Sequence, residues 1–205
     1  DLATTLPPRL TTLINQRLEK LSPAAMSVMQ YLAVDEPLAL SDLAALTGAA
    51  AVEAATAAGT AALARRGTVD VVTSAHPMYT ECIRTDLGVL TRRRLSTDLV
   101  AQLAAGDPDH VSDRLRLAQL SLETDTPLGS AELLVAAWEA MRLGDLQLTE
   151  TLARGALDGK ESLYARLPLA HSLAWQGRGA GPGGGVQGQG EVHGLRCSPE
   201  RARCS

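Results

Sequence analysis

Apolar residues recur at helical spacing from Leu10 to about Gln176, and the recurrence stops at Gly177. Leu10, Leu13, Ile14, Leu18 and Leu21 open the pattern by sharing one helical face after Pro7-Pro8. A period near 3.6 residues sustained over most of a chain leaves little room for anything but packed amphipathic helices. The interior that these helices bury is unusual. There is no Phe, and Tyr31, Tyr79, Trp138, Tyr164 and Trp175 are the only aromatic residues. Leu and Ala dominate instead, which favours helix over sheet by propensity.

The 205 residues fit one domain or two small ones, and 45% hydrophobic content is enough for a packed core. The net charge is −4. The stretch from Arg178 carries four Arg and two Glu, so residues 1–177 carry −6. That balance argues against a general nucleic-acid-binding surface. Three cysteines without CxxC spacing point to neither a disulfide framework nor a zinc site. No apolar run reaches the roughly 20 residues of a membrane span, and no signal peptide opens the chain. The expectation is a soluble, cytoplasmic, mainly α protein without a membrane partner. Lys occurs only at Lys20 and Lys160 while Arg is frequent, which fits a high-GC genome. The missing initiator Met suits a fragment or a processed chain.

Local signals place the elements. Ser22-Pro23 reads as a helix start, with Ser as N-cap and Pro in the first turn, and Met26, Met29 and Leu32 face inward. That helix ends before Asp35-Glu36-Pro37. Ser41 to Thr47 reads as a short capped helix closed by Gly48. Ala49 to Arg66 reads as a long Ala-rich helix, followed by Gly67 and a strand-like Thr68 to Val72. Three helices and then a β-segment is the order of a winged helix-turn-helix. Further helices are expected at Tyr79 to Leu87, Leu90 to Ala105 and Val111 to Glu123. Ala131 to Met141, a Gly144-Asp145 turn and Leu148 to Leu157 form a tetratricopeptide-like hairpin, and Ser162 to Trp175 opens the next unit. One and a half such units cannot cap a solenoid, so the array reads as cut short.

Candidate chemistry is thin. Gly155 to Glu161 superficially resembles a phosphate-binding loop, but three residues separate the glycines and Glu161 follows Lys160. The Walker pattern needs four residues there and a Ser or Thr after Lys, so an inter-helix turn is the reading. Gly179 to Gly184 formally matches GxGxxG without the preceding strand that aims backbone amides at a pyrophosphate. His193, Cys197 and Cys204 have irregular spacing and no fourth ligand. Cys82 sits on an apolar helix face, where a buried structural thiol is the ordinary reading. His76, His110 and His171 fall into no triad spacing. No catalytic, cofactor or metal residue is assigned.

For DNA reading, a helix should offer Arg, Lys, Asn or Gln to bases and phosphates. Ala49 to Ala64 offers Glu53, Thr56 and Thr60, with Arg65 and Arg66 only at its end, where they suit the helix dipole. The single β-run before His76-Pro77 leaves a short wing. Arg92-Arg93-Arg94 reads as a solvated helix start beside Asp98.

Three stretches carry a resemblance: Leu18-Glu19-Lys20-Leu21-Ser22-Pro23-Ala24-Ala25, then Leu43-Ala44-Ala45-Leu46-Thr47-Gly48, then Ala75-His76-Pro77-Met78-Tyr79. Over about residues 1–178 the chain resembles the region after the ATPase module in large ATP-binding regulators of the LuxR family. There an RLxxLSPAAR helix opens a winged-helix segment, an AHPLY motif closes its wing, and tetratricopeptide-like repeats follow. Ala140 to Leu146 and Leu173 to Arg178 continue the likeness. The family's ATPase with Walker motifs and its C-terminal DNA-binding helix-turn-helix have no counterpart here. Family members continue past such a Gly-Arg with another Ala/Leu-rich helix. A shifted reading frame near Arg178 is therefore the expected origin of the Gly-, Arg-, Pro- and Cys-rich tail. The resemblance implies a winged-helix-like domain at 1–80, a helical repeat segment at 81–177 and a disordered tail at 178–205. It implies a non-enzymatic regulatory or interaction fragment whose partner is another protein or the regulator's missing domains. The alternative is a stand-alone winged-helix DNA-binding repressor with a helical dimerisation domain, using Arg65 and Arg66.

Overall fold

The computed structural model describes residues 8–106, 111–157 and 163–178. These residues form ten helices and one three-stranded antiparallel sheet. The chain is mainly helical, as its periodicity requires.

Helix α1 (Pro8–Leu18) lays Ile14 and Leu18 into the interior, whereas Leu13 stays 63% exposed and outside the face expected for it. Helix α2 (Pro23–Val34) starts as its signals dictate. The Ser22 hydroxyl accepts a hydrogen bond from the Ala25 amide at 3.2 Å, and Pro23 occupies the first turn, where no backbone donor is needed. Val28, Met29 and Leu32 are wholly buried. Around α2 pack α4 (Ala49–Ala57), α5 (Pro77–Asp86) and α6 (Val89–Ala105). Helix α3 (Leu40–Thr47) begins one residue before Ser41. Its cap position is Ala39, which has no side-chain acceptor to offer, and Gly48 ends the helix at φ +87°.

The Ala-rich stretch departs from expectation. The helix stops at Ala57 rather than Arg66, and Ala61–Arg66 is strand β2. Gly59 at φ +68° turns the chain. Buried Thr60 then donates through its hydroxyl to the Ala55 carbonyl at 3.1 Å. Alanine's helical preference is local and small, and pairing with a valine-rich strand outweighs it. That strand is β3 (Val69–Ser74), two residues later and longer than the Thr68 to Val72 run had promised. Leu63 lies opposite Val72 and Arg66 opposite Val69, with Gly67-Thr68 as the loop. Strand β1 (Leu38–Ala39) pairs along the other edge of β3, giving the order β1-β3-β2. The segment expected to hold a single β-run is thus a full two-stranded ribbon. The Glu36 carboxylate pins it by accepting from the Ser74 amide at 2.7 Å and the Ser74 hydroxyl at 3.0 Å.

A second core lies beyond α6. Helices α7 (Val111–Ser121), α8 (Ser130–Leu143), α9 (Leu146–Leu157) and α10 (Leu163–Trp175) pack in succession. Their interior is Leu115, Leu133, Leu152 and seven alanines. Small side chains let the helix axes approach, and Gly155 shows how closely. A Cβ there would meet Leu122 at 2.4 Å, so Gly155 is a packing position within α9 and not part of a loop. Gly144 ends α8 in the left-handed region at φ +80°, and Asp145 caps α9 by accepting from the Leu148 amide at 2.9 Å. Helix α7 serves both cores: Leu120 belongs to the first, Leu115 and Ala118 to the second.

Of the expected tail at 178–205, only Arg178 falls among the described residues. Its amide bonds the Leu173 carbonyl at 2.8 Å and its guanidinium reaches Glu150 at 2.8 Å. Glu150 also takes Arg154 at 2.9 Å. Hydrogen bonding from Arg154, helped by the charge of Arg178, holds the Glu150 carboxyl below its usual range despite desolvation.

Leu32→Ala should cost about 2–5 kcal/mol by leaving a cavity that α4, α5 and α6 cannot close, measurable by urea denaturation. A lowered carboxylate pKa contributes stability above its unfolded value that is lost as pH falls through the folded one. Glu150→Gln should therefore be less stable than wild type at neutral pH. Its deficit in thermal denaturation should shrink on acidification below the ordinary glutamate range.

Candidate functional site

The β2–β3 ribbon divides two open clefts, and strand geometry decides what each receives. Successive strand side chains point to opposite faces, while residues paired across strands share one. Leu63, Arg65, Asp70 and Val72 therefore share one face, and Ala64, Arg66, Val69 and Val71 the other. The two arginines expected together at a helix end stand instead at the ribbon's tip, on opposite faces. Arg65 lies 4.0 Å from Asp70, with both side chains mostly exposed. Arg66 borders a cleft of about 580 Å³ between the ribbon and helices α6 and α7, where Asp42, Gln102, Asp113 and Arg116 also stand. A basic patch built from this pair does not form.

That cleft is of mixed lining, and several of its polar groups are answered by neighbours. Gln102 donates to Asp42 at 3.3 Å, and Arg116 donates to Asp35 and to the Pro37 carbonyl. Burial pushes the Asp35 carboxyl above its usual range although Arg116 and its hydrogen bond pull it down. The groups that join α7 to the α2–β1 loop are thus committed to structure.

On the opposite face, α4 and the ribbon flank a groove of about 610 Å³. The solvent side of α4 presents Ala49, Ala50, Glu53 and Ala57. Along the groove run Val52 and Leu63, with Val69, beside the ribbon's turn, bordering both this groove and the Arg66 cleft, and with Glu53 and Asp70 as its charged groups. It is mostly apolar, and its residual charge is negative.

The remaining candidates resolve into structural roles. His76 caps α5, its Nδ1 accepting from the Met78 amide at 3.2 Å. His171 accepts from the Trp175 indole at 2.9 Å on α10. Cys82 is buried, and desolvation, then Asp86 and Glu81, raise its thiol pKa, which is the reverse of nucleophile activation. Arg94 pairs with Asp98 at 3.5 Å and Arg93 with Asp125 at 3.3 Å. Among the described residues no three His, Cys, Asp or Glu gather as a cation site. No described helix is long and apolar enough to cross a membrane. His110, Gly159, Lys160, the Gly179 to Gly184 run, His193, Cys197 and Cys204 lie outside the described residues.

Comparison of the chain with protein-family models, curated proteins and solved structures gives no match.

Sequence reasoning missed the groove. Leu63 and Val69 fall in segments read as helix and strand, and only their pairing as a ribbon brings both to the border of the groove. The signals for that ribbon were Gly59-Thr60 as a helix stop and Gly67-Thr68 as a two-residue loop.

Glu36 sets the ribbon's position, so Glu36→Ala should strand the Ser74 amide and cost about 1–3 kcal/mol. Hydrogen exchange at Ser74 should quicken more than exchange within α2.

Proposed function

We propose that this chain is a non-enzymatic regulatory and interaction part of a large ATP-binding transcriptional regulator of the LuxR family, acting in the cytoplasm. Residues 1–80 form a winged-helix-like arm that couples nucleotide state to the rest of the regulator. Residues 81–177 form tetratricopeptide-like helix pairs that receive a partner or effector. The order α2, β1, α3, α4, β2, β3 supports the first assignment, and the α8–α9 hairpin with its Gly-Asp turn supports the second.

The observation that carries the reading is the chemistry of α4. As the second helix of the α3–α4 pair it stands where a helix-turn-helix protein contacts base edges. It turns alanine methyls and the Glu53 carboxylate to solvent there, where DNA reading needs donors. A carboxylate facing a phosphate backbone repels it. A helical array with an acidic, arginine-dotted surface suits protein contact instead.

One feature favours a second reading, a stand-alone DNA-binding repressor: Arg65 and Arg66 are exposed at the ribbon's tip, free to approach a duplex. An electrophoretic mobility assay at low salt separates the two. The purified chain should give no sequence-specific shift, and changing Arg65→Ala together with Arg66→Ala should alter nothing. Tight sequence-specific binding lost in that double variant would replace the first reading with the second.

A further inference from the structure

The groove between α4 and the ribbon has a defined chemistry. Ala49 and Val52 form one wall, and Leu63 and Val69, 58% and 48% exposed, form the other. Glu53 and Asp70 stand along it, and among the described residues no Lys or Arg lines it. Arg65 answers Asp70 only at 4.0 Å between exposed groups, an arrangement of little strength. No side chain among the described residues reaches the Glu53 carboxylate.

We propose that this groove docks an amphipathic helix of a protein partner, apolar toward Leu63 and Val69 and carrying Lys or Arg toward Glu53. Charge complementarity selects the partner's sign, because the groove's unanswered charge is negative. The mode follows from what the walls offer. The α4 wall and the ribbon face meet the groove with side chains, against which a helix, its backbone already satisfied, can lie flat. Alanine on the α4 wall lets that helix come close. Leu63 and Val69 supply apolar area that a singly exposed residue lacks. The proposal rests on the protein-interaction reading and names the face and chemistry of the partner.

The test uses the intact chain and two synthetic peptides of about 16 residues, long enough to hold a helix. Both carry the same Leu/Ala face, one flanked by Lys and the other by Glu, and binding is followed by fluorescence anisotropy. The Lys peptide should bind at least about fivefold more tightly, and the difference should fall as salt rises. Glu53→Lys should reverse the preference. Leu63→Ser, at an exposed position that leaves the circular dichroism unchanged, should weaken both peptides about tenfold. Equal affinity for the two peptides, or binding of neither, overturns the proposal. So does concentration-dependent dimerisation in sedimentation that Leu63→Ser abolishes, since the occupant is then a second copy. Sequence-specific DNA binding by the chain would defeat the regulatory reading while leaving the peptide result to stand or fall alone.

Discussion

Met29 and Leu32 make no contact with solvent because α4, α5 and α6 close around α2, and the rest of the first half is arranged by that enclosure. A helix buried on several sides cannot tolerate a frayed start, and Ser22 with Pro23 supplies a fixed one. At its other end Asp35 and Glu36 reach in different directions. Asp35 is held by Arg116 from α7, and Glu36 holds Ser74 on β3. Two adjacent acidic residues thus tie the central helix to both the helical array and the ribbon.

Helix α7 carries that connection onward. Arg116 faces back to the α2–β1 loop, while Arg114 pairs with Glu139 of α8 at 2.7 Å. Leu120 and Leu115 enter different cores from the same helix. The second core replaces aromatic bulk with alanine, so its stability depends on short interaxial distances rather than on large side chains. Gly155 against Leu122 is the closest expression of that choice. The enclosure of α2 and the alanine contacts of α8 and α9 are two solutions to building an interior without Phe.

The functional proposals depend on where the ribbon turns its side chains. Pairing Leu63 with Val72 separates Arg65 from Arg66 and brings Leu63 and Val69 beside α4. The same geometry disperses a basic patch and assembles an apolar one. Within Ala49 to Arg66 only Gly59-Thr60 marks the change, and the alanines around it mask that signal with a helix preference of about tenths of a kilocalorie per residue. The strand it pairs with supplies a nonlocal competitor. The helical wall of the candidate site was therefore legible as far as Val52 and Glu53, and the ribbon wall was not.

The sequence by itself determined the helices whose period and caps agree: α2 from Ser22-Pro23, and α8 with α9 around Gly144-Asp145. It also determined the mainly helical class and an acidic balance, since periodicity and charge are properties of the chain alone. Tertiary structure decided that Ala61–Arg66 is a strand, that Gly155 is a contact, and that Arg178 answers Glu150. Each of these depends on a partner distant in sequence. A hydrogen-bond ladder, a neighbouring methyl group or a facing carboxylate acts only after the fold has brought it within reach.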